Sequence, residues 1–409
     1  MADKEKEEVK AGDRRRVLKR NIVLLGLVSL ITDVSSEIIM PVLPLFIVAL
    51  GGSAIVIGLI GGVSDSIASF FKVFSGRLSD KFRQRKKFVV GGYSTSAVSK
   101  LGIALSVTWP HVFITKSIER TGKGLRDAPR DAIIAASISE EVRGKAFGIH
   151  RAMDTMGAIF GAFLAYVFFW HFGLSLRAII AIGAFLAFFA LIPLIPVKET
   201  KEFKGKEDIK IGWDLPKSIK MFLVVATLFA LANFSYMFFI IFAQQNLKYE
   251  EEEAIAIAIL LYVLFNVCYA SFAVPSGILS DKLGRKKVLV AGYTLFGFMC
   301  LGFAVSKSLL SMIILFIAYG TAFALIRGNE RAFISDLARP ERRGYALGSF
   351  HAMIGFAALP ASLIAGFLWE YIGTTATFLY GAIMAFTAAI FFLLQKYPEK
   401  PTKKQLKYL

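Results

Sequence analysis

Charge placed inside apolar sequence is the feature that demands a chemical explanation. Asp33 and Glu37 stand four residues apart in one apolar run, and Asp65 and Lys72 stand seven apart in the next. Lys100 follows, then Lys116, Glu119, Arg120, Lys123 and Arg126 at short intervals, with Asp127, Arg130 and Asp131 behind them and Arg151 and Asp154 further on. Residues three or four apart share a helix face. Asp33 with Glu37, Lys116 with Arg120, and Glu119 with Lys123 therefore belong to charged helix sides. Ionisable groups are expensive in lipid and mark paths for ions, protons or solutes. Two carboxylates one turn apart titrate as a unit. With cations in reach, such a pair can take up and release a proton as water access changes. Acids and cations could instead neutralise each other and hold a bundle together, and that reading suits Asp127, Arg130 and Asp131. Asp33, Glu37, Arg120 and Asp154 are read as functional. Lys72, Lys100, Lys116, Arg120, Lys123, Arg126 and Arg151 outnumber Asp33, Glu37, Asp65, Glu119 and Asp154, which points to an anionic or zwitterionic solute.

The elements that must carry these groups follow from composition. The chain has 409 residues, of which 56% are hydrophobic and 19% charged. Its mean hydropathy is +0.61. Soluble domains hold roughly 45–50% apolar residues, so a polytopic membrane protein is expected and a large soluble enzyme is not. Twelve runs of about 20 apolar residues match the bilayer core. Six fall in 21–197 and six in 219–395. Residues 1–20 read as a polar cytoplasmic segment, 198–218 as a cytoplasmic linker and 396–409 as a cytoplasmic tail. The net charge is +18, from 48 cations and 30 acids. These cations collect in alternate loops such as 79–87 and 282–287. The intervening loops, 51–53 and the glutamate-rich 247–253 among them, are poor in cations. That alternation sets membrane orientation with both termini inside, and nucleic acid is not expected as a partner. No cleavable signal peptide is visible, so the first run is expected to direct insertion. Cys268 and Cys300 lie inside apolar runs and the four histidines do not cluster, so no metal, disulfide framework or cofactor is expected. Pro41, Pro44 and Pro129 should kink or break their helices near the charges.

Two stretches repeat. Gly76-Arg-Leu-Ser-Asp80 continues to Arg85, Lys86 and Lys87. Gly277-Ile-Leu-Ser-Asp281 continues to Gly284, Arg285, Lys286 and Lys287. The two aspartates are 201 residues apart, and a second echo, starting at Arg143 and at Arg343, is displaced by 200. Two echoes at nearly one offset indicate an internal duplication.

At Gly277, Asp281, Gly284, Arg285 and Lys286 the chain resembles the major facilitator superfamily of secondary transporters, whose loop signature those residues match. The first copy keeps Gly76, Asp80 and a basic end including Arg85, with Arg83 and Gln84 where glycine and arginine are usual. Arg120 and Gly124 resemble the family's fourth-helix arginine motif. Helix 5 carries Gly157-x-x-x-Gly161, a small-residue packing pattern. Ala162 stands where drug antiporters of the family often have proline. The resemblance implies an all-α membrane protein with twelve transmembrane helices in two six-helix bundles, and a path for solute between them. It further implies alternating access, with the loop aspartates acting as a cytoplasmic gate between halves. The expected activity is proton-coupled efflux of a small molecule. A proton-coupled importer of a small organic or inorganic anion and a non-transporting membrane sensor are the alternatives. No nucleophile–base pair or phosphate loop suggests an enzyme. The expected partners are a small-molecule substrate, protons and the lipid bilayer of the cell membrane, with the chain acting as a monomer.

Overall fold

A chain that crosses lipid must satisfy its backbone hydrogen bonds within each segment, and every crossing here is helical. The computed structural model describes residues 2–82, 84–137, 140–198, 215–339 and 342–397, with side chains of 2–19, 77, 80 and 140–147 left aside. Helices α1 (Ala2–Ile39) and α2 (Leu43–Ala49) make the first crossing. The first half continues with α3 (Ala54–Phe82), α4 (Arg85–Ala104), α5 (Trp109–Ala136), α6 (Glu140–Trp170) and α7 (Leu176–Phe189). In the second half α8 (Lys217–Ala232) and α9 (Met237–Asn246) form one crossing. They are followed by α10 (Glu251–Leu283), α11 (Arg285–Val305), α12 (Leu309–Leu337), α13 (Arg343–Tyr371) and α14 (Thr374–Leu394). Among the described residues, ten of the twelve crossings are long and apolar enough to span a membrane. The other two are α4 and α5, which bury Lys100 on the one and Lys116, Glu119, Arg120 and Arg126 on the other. Of the expected terminal and linker segments, 199–214 and 398–409 lie outside the described residues. The polar N-terminal segment is part of α1, whose helix starts at Ala2.

The breaks differ in cause. Pro41 cannot continue the α1 hydrogen-bond ladder and disfavours helix in the residue before it. The chain restarts with Pro44 in the first turn of α2, where its missing N–H costs nothing. At Pro129 helix α5 runs on without a break. Neighbouring helices can compensate freed backbone groups at such a site. The seventh crossing also breaks, at 233–236, with no proline to announce it. There the Ser235 N–H donates to Ser362 Oγ on α13 at 3.1 Å instead of to its own helix.

Helix pairing repeats the duplication. In the first half α1 packs on α6 and α7, α3 on α5, and α4 on α5 and α7. In the second, α8 packs on α13 and α14, α10 on α12, and α11 on α12 and α14. The halves meet where α3 packs on α13, α6 on α10 and α2 on α9. Their cores differ in kind. The second half is aromatic: Phe239 stacks on Tyr319 at 4.5 Å and Phe229 on Tyr293 at 4.3 Å. The span-seven aromatics Phe229, Phe234, Phe238 and Phe239 are buried in this core rather than set against lipid. The first half buries charge instead.

The interface between the halves is tight toward one face. Loops 50–53, 171–175 and 247–250 mark that face, and the basic turns after α3 and α10 mark the other. Toward the first, α3 and α13 touch backbone to backbone: a Cβ at Gly366 would stand 2.6 Å from the Ala54 carbonyl oxygen, and one at Gly62 2.8 Å from Leu359 Cα. The Ile55 N–H donates to Glu370 Oε2 at 3.2 Å, and Ser66 Oγ donates to the Gly355 carbonyl at 2.6 Å. Away from the basic face the two halves are sealed against each other.

Candidate functional site

Helix α5 sets most of the charge. Lys116, Glu119, Arg120 and Arg126 are all buried. Glu119 neutralises its neighbours, with Lys116 Nζ at 3.0 Å and Arg120 Nε at 3.6 Å from Oε2. Arg126 lies over the Tyr93 ring at 4.2 Å and donates to Ser96 Oγ at 2.6 Å. Lys100, 2% exposed, donates to Ser35 and Ser36 hydroxyls on α1 at 2.8 and 2.7 Å. The sequence reading set Lys116, Glu119 and Arg126 on the path. The structure places them within the first bundle, and of the α5 charges only Arg120 and Lys123 line the cavity between the halves.

The α1 carboxylates are arranged differently. Asp33 and Glu37 have no cation within ion-pairing distance among the described residues, and Arg120 pairs with Glu119 instead. Gly157 and Gly161 let α6 press onto this helix side. A Cβ at Gly161 would stand 2.9 Å from Glu37 Cβ, and one at Gly157 3.0 Å from Asp33 Cβ. Glu37 Oε2 accepts a hydrogen bond from Tyr262 of α10 at 2.9 Å, and Tyr236 donates to the Met40 carbonyl at 3.1 Å. Both bonds cross between the halves. Asp154 lies 3.5 Å from His150 Nδ1 and 3.9 Å from Arg151. Arg151 donates to Tyr269 of α10 at 2.7 Å. On the other side, His150 Nε2 contacts Ser29 Oγ at 2.8 Å, and Arg130 donates to that same hydroxyl at 3.2 Å. Arg130 also pairs with Asp131 at 3.0 Å and sits 4.0 Å from Asp127. A polar chain thus runs from α5 over α1 and α6 to α10, all four helices contributing.

Between the halves lies a cavity of about 200 Å³. Asp65, Arg120 and Lys123 line it from the first half, and Asn233, Phe229, Arg327 and Glu330 from the second. Glu330 accepts a hydrogen bond from Tyr293 at 2.8 Å, and Arg327 lies over the Phe323 ring at 4.9 Å. The sequence reading missed these α12 charges and concentrated on the first half. It also missed Tyr262, Tyr269 and His150. Arg327, Glu330 and Arg331 recur at helical spacing inside the tenth apolar run, which was a readable signal. The hydroxyls of span eight gave none.

At the repeated loops, Gly284 has φ +93°, a left-handed conformation that glycine alone adopts without strain. Arg285 pairs with Asp281 at 3.1 Å and with Asp336 of α12 at 2.6 Å. Lys286 donates to the Leu393 and Gln395 carbonyls at 3.0 and 2.7 Å. Lys86, exactly 200 residues earlier, donates to the Ile195 carbonyl at 2.9 Å. In the second copy the Arg285 and Lys286 contacts stay within one half, whereas a bridge between halves was expected. A Cβ at Gly76 would stand 3.4 Å from Ala128 Cβ and one at Gly277 would meet nothing within 4 Å among the described residues, Arg85 opens α4, and the Asp80 side chain lies outside the described residues.

A family model described as Major Facilitator Superfamily matches residues 25–265 and 223–408. An uncharacterized MFS-type transporter of Methanocaldococcus jannaschii is 46% identical over 387 residues, covering 94% of this chain and 97% of that one. Multidrug resistance protein MdtH of Salmonella arizonae is 28% identical over 141 residues, 34% of this chain and 33% of its own length. The xylose transporter XylE from E. coli, solved in an inward-open conformation, superposes with a TM-score of 0.73 at 16% identity over 96% of this chain and 99% of that one.

Proposed function

The chain belongs to the Major Facilitator Superfamily, and from that membership we propose a secondary active transporter that works by alternating access and exports a small solute in exchange for protons. The observation that carries this reading is the one-sided seal. The halves are packed backbone to backbone toward one face, and a charged cavity lies between them on the basic side of that contact. Alternating access needs such an arrangement and a second one in which the seal has moved.

The basic face is proposed as cytoplasmic, because the cation-rich loops lie there. The two halves are proposed as working domains, 21–197 and 219–395, in a monomer of the cell membrane. Asp33, Glu37 and Asp154 are proposed as proton carriers, and Arg120 and Lys123 with Asp65 as the first half's cavity wall. Arg151 is proposed to link Asp154 to Tyr269 across the halves. The Asp281–Arg285–Asp336 set, with Lys286 and Gly284, is proposed to brace the second half at its cytoplasmic end while the gate moves. Export is supported by the partial likeness to a multidrug resistance protein.

Uptake into inverted vesicles tests direction and coupling together. Cysteines at Ser53 and Lys282 score orientation, the first shielded in the lumen and the second labelled from the bath. Given a mixture of small organic acids, phosphates and amino acids, vesicles with an acid lumen should accumulate at least one solute as protons leave. Net exit of solute with protons would indicate import instead. No pH-dependent movement of any solute would remove the proton-coupling proposal.

A further inference from the structure

The cavity has a composition that selects a chemical class of cargo. Its charged lining comes from both halves: Arg120 and Lys123 on α5, Arg327 on α12, and the acids Asp65 and Glu330. The acids do not cancel the cations equally. Asp65 forms no ion pair with any of them among the described residues. One oxygen of Glu330 is engaged by Tyr293. Among the described residues no carboxylate is recorded in an ion pair with Lys123 or Arg327, one cation from each half. Arg120 is itself incompletely satisfied. It is 8% exposed, its Nε has no hydrogen-bond partner among the described residues, and its Glu119 neighbour sits closer to Lys116. Buried donors without acceptors are costly, and a guanidinium is shaped to hold a carboxylate, sulfonate or phosphate through paired donors.

Apolar side chains share the rest of the wall with Ser69 and Asn233. Phe229, Phe323 and Ile326 from the second half face the same space. Drug-sized ligands occupy pockets of roughly 300–1,000 Å³, and about 200 Å³ is smaller. We propose that the cargo is a small organic anion whose charged group bridges Lys123 and Arg327 with help from Arg120, and whose short apolar body rests on Phe229 and Phe323. This rests on the transporter reading and gives it a cargo class. It also gives the cargo a mechanical role, because an anion held by both halves ties their movement to its own presence.

Binding to purified full-length protein tests it with a matched panel. Benzenesulfonate, phenyl phosphate and 3-phenylpropionate supply the anion and the ring, N,N,N-trimethylanilinium reverses the charge, benzyl alcohol removes it, and inorganic phosphate lacks the ring. At least one ring-bearing anion should bind and raise the thermal midpoint. Phosphate, the cation and the alcohol should bind at least about tenfold more weakly. Lys123→Gln and Arg327→Gln should each weaken the anion about 10- to 100-fold, and Arg327→Lys should recover part of the loss. The two neutral variants guard against one of them failing to fold, and each is scored by its own thermal midpoint. Preference for the cation, phosphate binding as tightly as the ring-bearing anions, unchanged affinity in both folded Gln variants, or no anion binding at all would overturn the proposal. Accessibility of a cavity cysteine from both faces reports on the transporter reading independently. A protein that alternates but binds no anion loses only the cargo assignment.

Discussion

Glu37→Gln is expected to abolish accumulation of cargo against its gradient while leaving downhill exchange intact. Glu37 is half-buried, has no cation within ion-pairing distance among the described residues, and keeps its place through the Tyr262 hydroxyl. A buried carboxylate must have its charge compensated. With no ion pair available, a proton is the compensation at hand when the halves close and water leaves. Tyr262 belongs to the opposite half, so the hydrogen bond that reads the state of Glu37 also spans the moving interface. Gln keeps the shape and can still meet Tyr262 but cannot exchange a proton. Asp33→Asn should act in the same direction, because Asp33 lies one turn away on the same helix and within the field of Asp154. The measurement is solute accumulation in vesicles under an imposed pH gradient, beside solute exchange without one. If both variants still concentrate solute in response to pH, proton coupling does not run through α1.

Glu119→Gln is expected to destabilise the fold by about 3–5 kcal/mol, the range for removing one partner of a buried pair. Glu119 is 2% exposed and is the one carboxylate within ion-pairing distance of Lys116 and Arg120 among the described residues. Its loss leaves two buried cations facing each other, with Lys100 and Arg126 close by in the same bundle. Thermal unfolding of purified protein should show a clear fall in midpoint, and Glu119→Asp a smaller one. Replacing Lys116 by Met together with Glu119→Gln should restore part of the loss, because one uncompensated charge goes as well. A wild-type midpoint in Glu119→Gln would mean that water or a rearranged partner reaches these cations.

Much of the fold was legible because lipid leaves few options. A run of about 20 apolar residues has to become a helix, and the Asp80/Asp281 and Arg143/Arg343 echoes divide twelve such runs into two sixes. Proline marked the break after Ile39. The break at 233–236 was illegible, because its cause is a hydrogen bond from Ser235 to Ser362, 127 positions away. The charged face of α5 was legible in its three- and four-residue spacing. Which of its residues reach the cavity was not, since Glu119 and Arg120 are adjacent in sequence yet one sits inside the bundle and the other on the cavity wall. The duplication drew attention to the loop aspartates, but contacts such as Arg285 with Asp336 depend on how α11 and α12 pack. The α12 charges obey the same helical spacing as those of α5, and the sequence signal was there to be used.

Alternating access itself can be tested without knowing the cargo. With Cys268 and Cys300 replaced by alanine, a cysteine at Ala68 lines the cavity. Membrane-impermeant thiol reagent should modify it from the basic face, and also, more slowly, from the opposite face as the seal opens. Cysteines at Ile55 and Glu370, where α3 and α13 meet at that far face, can be joined by a short bis-thiol reagent before Ala68→Cys is probed. The link should abolish labelling from the opposite face and leave labelling from the basic face unchanged. Labelling from the basic face alone in the unlinked protein, or labelling from the opposite face that survives the link, would contradict a transporter that opens its cavity to each side in turn.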